Sequence, residues 1–249
     1  MSAALQRIVI VGASSGIGEA LAIEMAVPGR SIGLIARRQT ELEAVAAKVR
    51  AKGAVAVVDV SDASDIVAVE QSWSRISAAL GGVDAIVYSS GAMADVGPDE
   101  FSSDKDKWMI EVNVIGAMSW LNCAARGFSA QGHGTICGIG SVAGDRGRRP
   151  NPAYGASKAA LHSFLESLRN RLTHRGIRVV TIKPGPVATP MTAHLPEKPP
   201  FLIDAPTAAK RIAKAIENGE HTVYVPGIWR FIMLAMRCTP SFLFVKFTK

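Results

Sequence analysis

Cysteine, paired histidine and long apolar segments are all scarce in this chain of 249 residues. The three cysteines, Cys123, Cys137 and Cys238, are an odd number without the spacing of a metal site, so we expect reduced thiols in a cytoplasmic protein. The five histidines are scattered, and we expect no metal. These absences argue against a disulfide-stabilised secreted domain and against a metalloenzyme.

Targeting segments, linkers and repeats are also missing. No apolar run reaches the roughly 20 residues that a membrane-spanning helix needs, and the first predicted strand begins within ten residues of Met1, which leaves no room for a cleavable signal. The net charge of +7 and the pI of about 9.5 are the only hints of nucleic acid, and the basic residues are dispersed, so we expect no nucleic-acid partner. An apolar content of 48% without a Pro- or Ser-rich linker predicts one domain with a large core.

Apolar β-type runs alternate with helical patterns along the chain. This alternation predicts an α/β fold with a doubly wound parallel sheet that helices cover on both faces. We assign residues 1–227 to this domain and residues 228–249 to an apolar and basic tail. The predicted strands lie near 8–11, 32–36, 55–58, 85–89, 134–139 and 177–182, with a seventh at the sheet edge near 222–225.

A glycine-rich turn follows the first predicted strand and precedes an apolar helix. Its spacing is Gly-x3-Gly-x-Gly, and glycines let the backbone turn sharply and approach a ligand closely. The free amides of the following helix favour a pyrophosphate. A purely structural turn is the alternative, and the position after the first strand favours a dinucleotide. The expected cofactor contacts here are Gly12, Ser14, Ser15, Gly16, Ile17 and Gly18.

The second predicted strand ends at Arg37 and Arg38. An enzyme that uses the unphosphorylated cofactor, NAD(H), would present an acidic residue to the adenosine ribose at this position. A guanidinium can instead bind a 2′-phosphate with paired hydrogen bonds, so we predict NADP(H) as the cofactor. We favour Arg37 as the phosphate ligand and the Ser14 hydroxyl as its helper. The alternative reading of Arg38 is a solvated residue at the start of a helix.

Tyr154 and Lys158 stand four residues apart, on one face of a predicted helix. A free tyrosine has a pKa of about 10 and needs a nearby positive charge to work near neutrality, which Lys158 could supply. Such pairs are also common on solvated helix faces. A hydride delivered to a ketone leaves negative charge on oxygen, and we predict that Tyr154 donates the proton while Ser141 hydrogen-bonds the carbonyl.

Several ordered motifs together resemble the short-chain dehydrogenase/reductase family over nearly the whole chain. The resemblance implies a seven-stranded, Rossmann-like fold. It also implies that Asp59 contacts the adenine, and that Asn113 distorts its helix and orders a water that links Lys158 to solvent. Lys158 would also hold the nicotinamide ribose. The resemblance further implies that Pro184, Gly185, Val187 and Thr189 border the nicotinamide. The motifs are the glycine turn, Asp59-Val60, Asn113-Val114-Ile115-Gly116, Ser141 before Tyr154-x3-Lys158, and Pro184-Gly185 with Val187 and Thr189.

The chain departs from the family at Tyr88-Ser89-Ser90-Gly91, where Asn-Asn-Ala-Gly is usual. The serines keep hydroxyls and a small size. We therefore expect the strand end and the cofactor wall at Gly91 to persist with altered hydrogen bonding.

Three regions bear on the substrate. The loop from Asp145 to Pro150 carries three arginines, which could face an anionic substrate or simply be solvated. The segment 190–206 resembles a substrate lid. The tail 229–249 fits an amphipathic segment at the inner face of a membrane slightly better than a tail packed on a partner subunit. The expected substrate contacts are Arg146, Arg148, Met191 and His194.

These features predict an NADPH-dependent reductase of a lipid-linked or lipophilic carbonyl compound. The three regions resemble those of reductases that act on keto-sugars of polyprenyl phosphates, and a steroid or fatty carbonyl substrate is the alternative. A non-catalytic NADP(H)-binding sensor or membrane-partner scaffold is the competing class. The family resemblance implies a homodimer or homotetramer, with subunit contacts through the helices 113–125 and 154–171.

Overall fold

A central parallel sheet organises the computed structural model, which describes residues 5–193 and 199–247. Seven strands form the sheet in the order β3-β2-β1-β4-β5-β6-β9, and β7 pairs with β8 in a separate two-stranded ribbon. The predicted seven-stranded α/β fold is confirmed. The strands are β1 (Arg7–Val11), β2 (Ser31–Ala36), β3 (Val55–Val60), β4 (Ala85–Tyr88), β5 (Gly134–Ile139), β6 (Ile177–Pro184), β7 (Val187–Ala188), β8 (Ile203–Asp204) and β9 (Thr222–Val225).

Helices cover both faces of the sheet. A π-helical turn, Glu111–Gly116, lies between α4 and α5, and short 3₁₀ turns, Val142–Asp145 and Thr173–Arg175, flank α6. The helices are α1 (Gly16–Met25), α2 (Gln39–Ala51), α3 (Ile66–Leu80), α4 (Ser103–Ile110), α5 (Ala117–Gln131), α6 (Pro152–Leu172), α7 (Ala205–Asn218), α8 (Trp229–Cys238) and α9 (Ser241–Phe247).

Strand β1 shows why the sheet must be covered on both sides. Successive side chains of a strand point to opposite faces. Ile8 and Ile10 pack into the core under α1, α2 and α7, while Val9 and Val11 pack into the core under α3, α5 and α6. All four side chains are fully buried. A continuous apolar run is the expected sequence of a strand that is buried on both faces of a parallel sheet.

The strand order reverses beside β1, which pairs with β2 on one side and with β4 on the other. After β3 the chain crosses back over β1 to add β4, so the helices on the two sides of this point lie on opposite faces. In open α/β sheets, ligands bind at the carboxyl ends of the strands at such a switch point. The fold therefore places a ligand cleft where the glycine turn leaves β1.

The carboxyl-terminal helices pack beside the end of the sheet. Trp229 and Met233 of α8 are buried against Val142, which follows β5. No helix within residues 5–193 and 199–247 combines the length and the apolarity needed to cross a membrane.

Candidate active site

The turn after β1 requires glycine at specific positions. Gly12 has a φ of +87°, and a Cβ placed there would lie 2.4 Å from the backbone nitrogen of Ser90. A Cβ at Gly18 would lie 2.1 Å from the carbonyl oxygen of Gly12. Ser15 precedes α1 without capping it through its side chain, so the first amides of α1 keep their hydrogen-bonding capacity for a ligand.

A cleft of about 700 Å³ opens at the carboxyl ends of the strands and brings most of the predicted site residues together. Gly18, Asp59, Val60 and Asn113 are not part of its wall. Sequence reasoning missed Trp108 and Trp229, which also line it, because nothing in a sequence shows that such distant residues meet. The predicted residues that line it are Gly12, Ser14, Ser15, Gly16, Ile17, Arg37, Gly91, Ser141, Arg148, Tyr154, Lys158, Pro184, Gly185, Val187, Thr189 and Met191.

Asp59, the predicted adenine contact, is not part of the cleft wall. Its buried carboxylate accepts hydrogen bonds from Ser72 Oγ at 2.9 Å and from Arg75 Nη2 at 2.8 Å, both on α3. Strand alternation turns Asp59 toward α3, and the Val60 side chain is exposed outside the cleft. Asp62, three positions further on, lies in the cleft wall instead.

Two guanidinium groups stand where β2 ends. Arg37 is largely exposed, with Nη1 3.6 Å from Asp62 Oδ2. Arg38 is more than the solvated helix-start residue of the alternative reading, because its Nη2 donates to Ser14 Oγ and Ser15 Oγ, each at 2.9 Å. The predicted helper Ser14 therefore contacts Arg38, and both arginines line the cleft.

Asn113 lies in the π-helical turn, so the helix is distorted at this residue as the family resemblance implied. Its Oδ1 accepts from the Ala92 amide at 2.7 Å, and its Nδ2 donates to the Ala92 carbonyl at 2.8 Å and to Ser157 Oγ at 2.9 Å. A Cβ at Gly91 would lie 3.5 Å from both Asn113 Oδ1 and Lys158 Nζ. Asn113 thus lies behind the cleft wall, beside the lysine.

Lys158 is buried and donates to the carbonyl of Ile139 at 3.2 Å. Burial lowers its pKa to about 8, because the charged ammonium loses hydration. Its Nζ lies 5.7 Å from the centre of the Tyr154 ring. The lysine still carries its proton at neutral pH.

Tyr154 is held by the start of α6. Asn151 caps this helix with a φ of 49°, and its Oδ1 accepts from the Tyr154 amide at 3.2 Å. Burial raises the pKa of the phenol, while a hydrogen bond with Ser141 and the charge of Arg148 lower it. Of these two lowering influences only that of Arg148 is a positive charge, whereas the sequence predicts that Lys158 lowers the pKa of the phenol. A neutral phenol beside a serine hydroxyl is suited to donate a proton.

A buried polar cluster behind Ser141 escaped sequence reasoning. The Asp145 carboxylate accepts from Lys183 Nζ at 2.5 Å and from the Tyr224 hydroxyl at 2.6 Å. His162 Nδ1 lies 3.6 Å from the same carboxylate, and burial lowers the His162 pKa to about 3, which keeps the ring neutral. The cluster fixes the turn after Ser141 to β6 and β9. Its members are too far apart in the chain to give a sequence signal.

Two arginines of the loop from Asp145 to Pro150 have different surroundings. Arg146 does not face the cleft, which corrects its predicted substrate role: it donates to the carbonyls of Met236, Arg237 and Thr239, and its Cζ lies 4.0 Å from the centre of the Phe244 ring. These carbonyls end α8 and attract a cation. Arg148 instead lines the cleft.

The Arg148 guanidinium has no hydrogen-bond or ion-pair partner among the described residues, and burial lowers its pKa. Met191 also lines the cleft, with Cε 3.6 Å from a Cβ placed at Gly91. The predicted contact His194 lies outside the described residues.

The predicted lid is anchored at its far end. Ile203 and Asp204 pair with Val187 and Ala188 in the two-stranded ribbon. Phe201 packs edge to face on Trp229, with ring centres 6.0 Å apart. The indole nitrogen of Trp229 is buried without a hydrogen-bond partner in the described structure, and a Cβ at Gly185 would lie 2.0 Å from it. The tail therefore begins against the cleft wall.

The fold and this cleft define a dinucleotide-binding protein of the Rossmann type. The sequence profile of the family described as short chain dehydrogenase matches residues 6–200, and the chain belongs to the short-chain dehydrogenase/reductase family.

Two similar curated proteins are described as uncharacterised oxidoreductases. The chain is 34% identical over 242 residues to an uncharacterised oxidoreductase of Streptomyces coelicolor, covering 96% of this chain and 94% of that protein. It is 33% identical over 227 residues to an uncharacterised oxidoreductase of Mycobacterium tuberculosis, covering 89% and 88% of the two chains.

Solved structures share the fold. A short-chain dehydrogenase/reductase from Mycobacterium ulcerans has a TM-score of 0.84 at 22% identity, with 94% of this chain and 92% of that chain covered. An actinorhodin polyketide ketoreductase with NADPH has a TM-score of 0.81 at 22% identity, with 89% and 95% covered. A short chain dehydrogenase from Mycobacterium paratuberculosis bound to NAD has a TM-score of 0.80 at 23% identity, with 89% and 96% covered.

Proposed function

We propose that the protein is an NADPH-dependent carbonyl reductase that converts a ketone to an alcohol. The observation that carries this proposal is the meeting of Ser141, Tyr154 and Lys158 in one cleft with the glycine turn. A proton donor, a hydrogen-bond donor and a cofactor cradle are the parts that carbonyl reduction needs.

The residues present fit the cofactor. The glycine turn leaves no room for a Cβ, and the amides of α1 suit a pyrophosphate. Arg37 and Arg38 bring two guanidinium groups to the cleft wall where β2 ends, which favours NADP(H) because such groups bind phosphate with paired hydrogen bonds. Solved structures of this fold hold NAD in one case and NADPH in another, so the preference for NADPH rests on these arginines.

The protein side chains have separate tasks in the reaction. When bound, the nicotinamide supplies the hydride that adds to the carbonyl carbon. Ser141 hydrogen-bonds the carbonyl oxygen, and the Tyr154 phenol gives its proton to that oxygen as the alcohol forms. Lys158, beside Asn113, would hold the nicotinamide ribose, and its ammonium returns a proton to the Tyr154 phenolate and takes a replacement from solvent. One hydride and one proton are thus added across the carbonyl bond.

The substrate of this proposal is a lipophilic or lipid-linked carbonyl compound that carries an anionic group. Val142, Trp108 and Trp229 give the cleft an apolar wall, and Arg148 offers a guanidinium that has no hydrogen-bond or ion-pair partner among the described residues. A keto-sugar on a polyprenyl phosphate has both properties. A steroid or fatty ketone would use only the apolar wall.

A homodimer or homotetramer with contacts through α5 and α6 remains a proposal from the family resemblance. The measurement is analytical ultracentrifugation of the purified protein, in which a monomer at micromolar concentration would contradict it.

The decisive experiment measures consumption of NADPH and NADH by the purified protein with simple ketones, steroid ketones, fatty ketones and polyprenyl-phosphate keto-sugars. We expect NADPH-specific turnover of a lipophilic carbonyl compound. Tight NADPH binding without turnover on any compound would instead favour a cofactor sensor or scaffold.

A further inference from the structure

The outer surface of the tail exposes large apolar side chains. We use the name tail face for the exposed side of α8 and α9, which includes Phe231, Leu234, Phe242 and Val245. These side chains are 67%, 57%, 70% and 64% exposed. The inner side of α8 is anchored by the buried Met233, so the outer side is held in place and is not a frayed end.

Only positive charge accompanies these apolar groups. Arg230 and Arg237 are exposed on α8, and Lys246 is exposed on α9. Residues 221–249 contain no aspartate and no glutamate. Arg230, Leu234 and Arg237 follow the spacing of one helix face, so the cations flank the apolar groups. This is the pattern of a helix that lies in a membrane interface.

We infer that the tail face docks on an anionic lipid surface. Its aromatic and aliphatic side chains enter the boundary between headgroups and acyl chains, and its cations pair with lipid phosphates. A second copy of the chain is a poorer occupant. In a twofold interface the same patch meets itself, which would bury like charges of Arg230, Arg237 and Lys246 with no carboxylate in the tail to offset them.

The contacts of the tail tie this surface to the active site. Trp229 at the start of α8 lines the cleft, and Arg146 fixes the end of α8 to the loop after Ser141. A second groove of about 640 Å³ lies between this loop and Phe244 and Val245 of α9. It shares Arg148 with the wall of the catalytic cleft. A docked tail would therefore place the mouth of the cleft beside the lipid surface.

The first test is vesicle flotation with the full chain, without cofactor or substrate. Vesicles of phosphatidylcholine alone are compared with vesicles that contain about 30% phosphatidylglycerol. We expect at least about tenfold stronger partitioning to the anionic vesicles, reversed by high salt. Equal binding to both vesicles, or binding to neither, would overturn the inference. The result is independent of the proposed reaction, since turnover is not measured.

Matched variants locate the surface. The double variant Phe231→Ser/Phe242→Ser removes two apolar groups of the tail face, and Val67→Ser/Phe101→Ser removes two exposed apolar groups elsewhere. We expect about a tenfold or greater loss of partitioning for the first pair and no change for the second. Arg230→Gln/Lys246→Gln should also lose about tenfold, whereas Arg50→Gln/Lys52→Gln, at the end of α2 and directly after it, should not. Equal losses in test and control variants would contradict a specific surface.

Sedimentation tests whether the tail face binds a second copy of the chain and not a lipid surface. If the tail face packs on a second copy, Phe231→Ser/Phe242→Ser should convert an oligomer of the wild-type protein to monomers. That result would overturn lipid docking. An unchanged sedimentation coefficient together with lost vesicle binding supports it.

Discussion

The cofactor side of the cleft and its substrate side are built in different ways. The cofactor side consists largely of a backbone turn and short motifs, such as the turn in which Gly18 packs on the carbonyl of Gly12 six positions earlier. The substrate side depends on distant residues, since Arg146 bonds carbonyls about 90 positions away. Local geometry therefore dictates the first side, and tertiary packing dictates the second. Proteins of one fold can therefore keep the cofactor side while differences on the substrate side change which substrate is bound.

The largest effect is expected where the two sides meet, at Tyr154. Tyr154→Phe removes the proton donor and should lower kcat by about 10²–10⁴-fold while NADPH affinity stays unchanged. Steady-state kinetics and fluorescence titration measure the two quantities. Tyr224→Phe is the control, because that hydroxyl bonds Asp145 behind the cleft and should keep most activity. Activity that survives Tyr154→Phe would move proton donation to another group.

Lys158 tests the energetic cost of the buried cofactor side. Its pKa is about 8 in the folded protein against an ordinary value of 10.5. Between these pH values the unfolded state binds more protons, so the free energy of unfolding rises with pH across this window. Below pH 8 both states hold the proton, and the penalty of the buried charge is present in full.

Lys158→Met removes this penalty. The stability gained by the variant at pH 7 should shrink by on the order of 3 kcal/mol by pH 10.5. Urea unfolding of the protein without cofactor measures it, with the exposed Lys52→Met as control. If the difference in the free energy of unfolding between wild type and Lys158→Met does not change with pH, burial imposes no free-energy penalty on the charged form of Lys158.

Arg37 tests whether the cofactor side selects the phosphate. Arg37→Asp should weaken NADPH binding by about 1.5–3 kcal/mol and leave NADH binding unchanged. Arg38→Gln measures the second guanidinium, which already contacts Ser14 and Ser15. Arg50→Asp on α2 is the charge control. Equal losses of NADPH and NADH affinity in Arg37→Asp would contradict the assignment of the 2′-phosphate to this residue.

On the substrate side, the corresponding test asks whether Arg148 binds an anionic group of the substrate. Arg148→Gln should lower kcat/KM by about 10–150-fold for a phosphate-bearing ketone, since one charge-assisted hydrogen bond is worth about 1.5–3 kcal/mol when formed. A neutral ketone of the same length should change by less than about threefold, with Arg149→Gln as control for the loop charge. If both ketones lose activity equally, Arg148 acts on Tyr154 and not on the substrate.

The same division explains what the sequence could predict. The seven strands could be predicted because each is a local apolar run in the chain. The glycine turn could be predicted because the backbone leaves no space for a Cβ at Gly12 and Gly18, so glycine is needed at both positions. The motif at Asp59 does not show that Ser72 and Arg75 of α3 hydrogen-bond its carboxylate. Arg146 and Arg148 are two positions apart and have the same chemistry. Only the packed position of α8 shows that one bonds the tail while the other lines the cleft.

Arg146 gives the smallest effect and the sharpest test of how the substrate side is held. Arg146→Ala removes the cation that bonds the carbonyls at the end of α8 and covers the Phe244 ring. Amides of α8 and α9 should then exchange about 5–30-fold faster, the factor for a loss of one to two kcal/mol of local stability. Hydrogen exchange read by mass spectrometry measures this, and Arg149→Ala is the matched control because its side chain is exposed on the same loop. Turnover of a small neutral ketone should stay within about threefold, since the variant leaves Ser141 and Tyr154 untouched. Unchanged exchange in the tail would mean that Trp229 and Met233 alone hold α8 against the domain, and that the catalytic loop and the tail are mechanically independent.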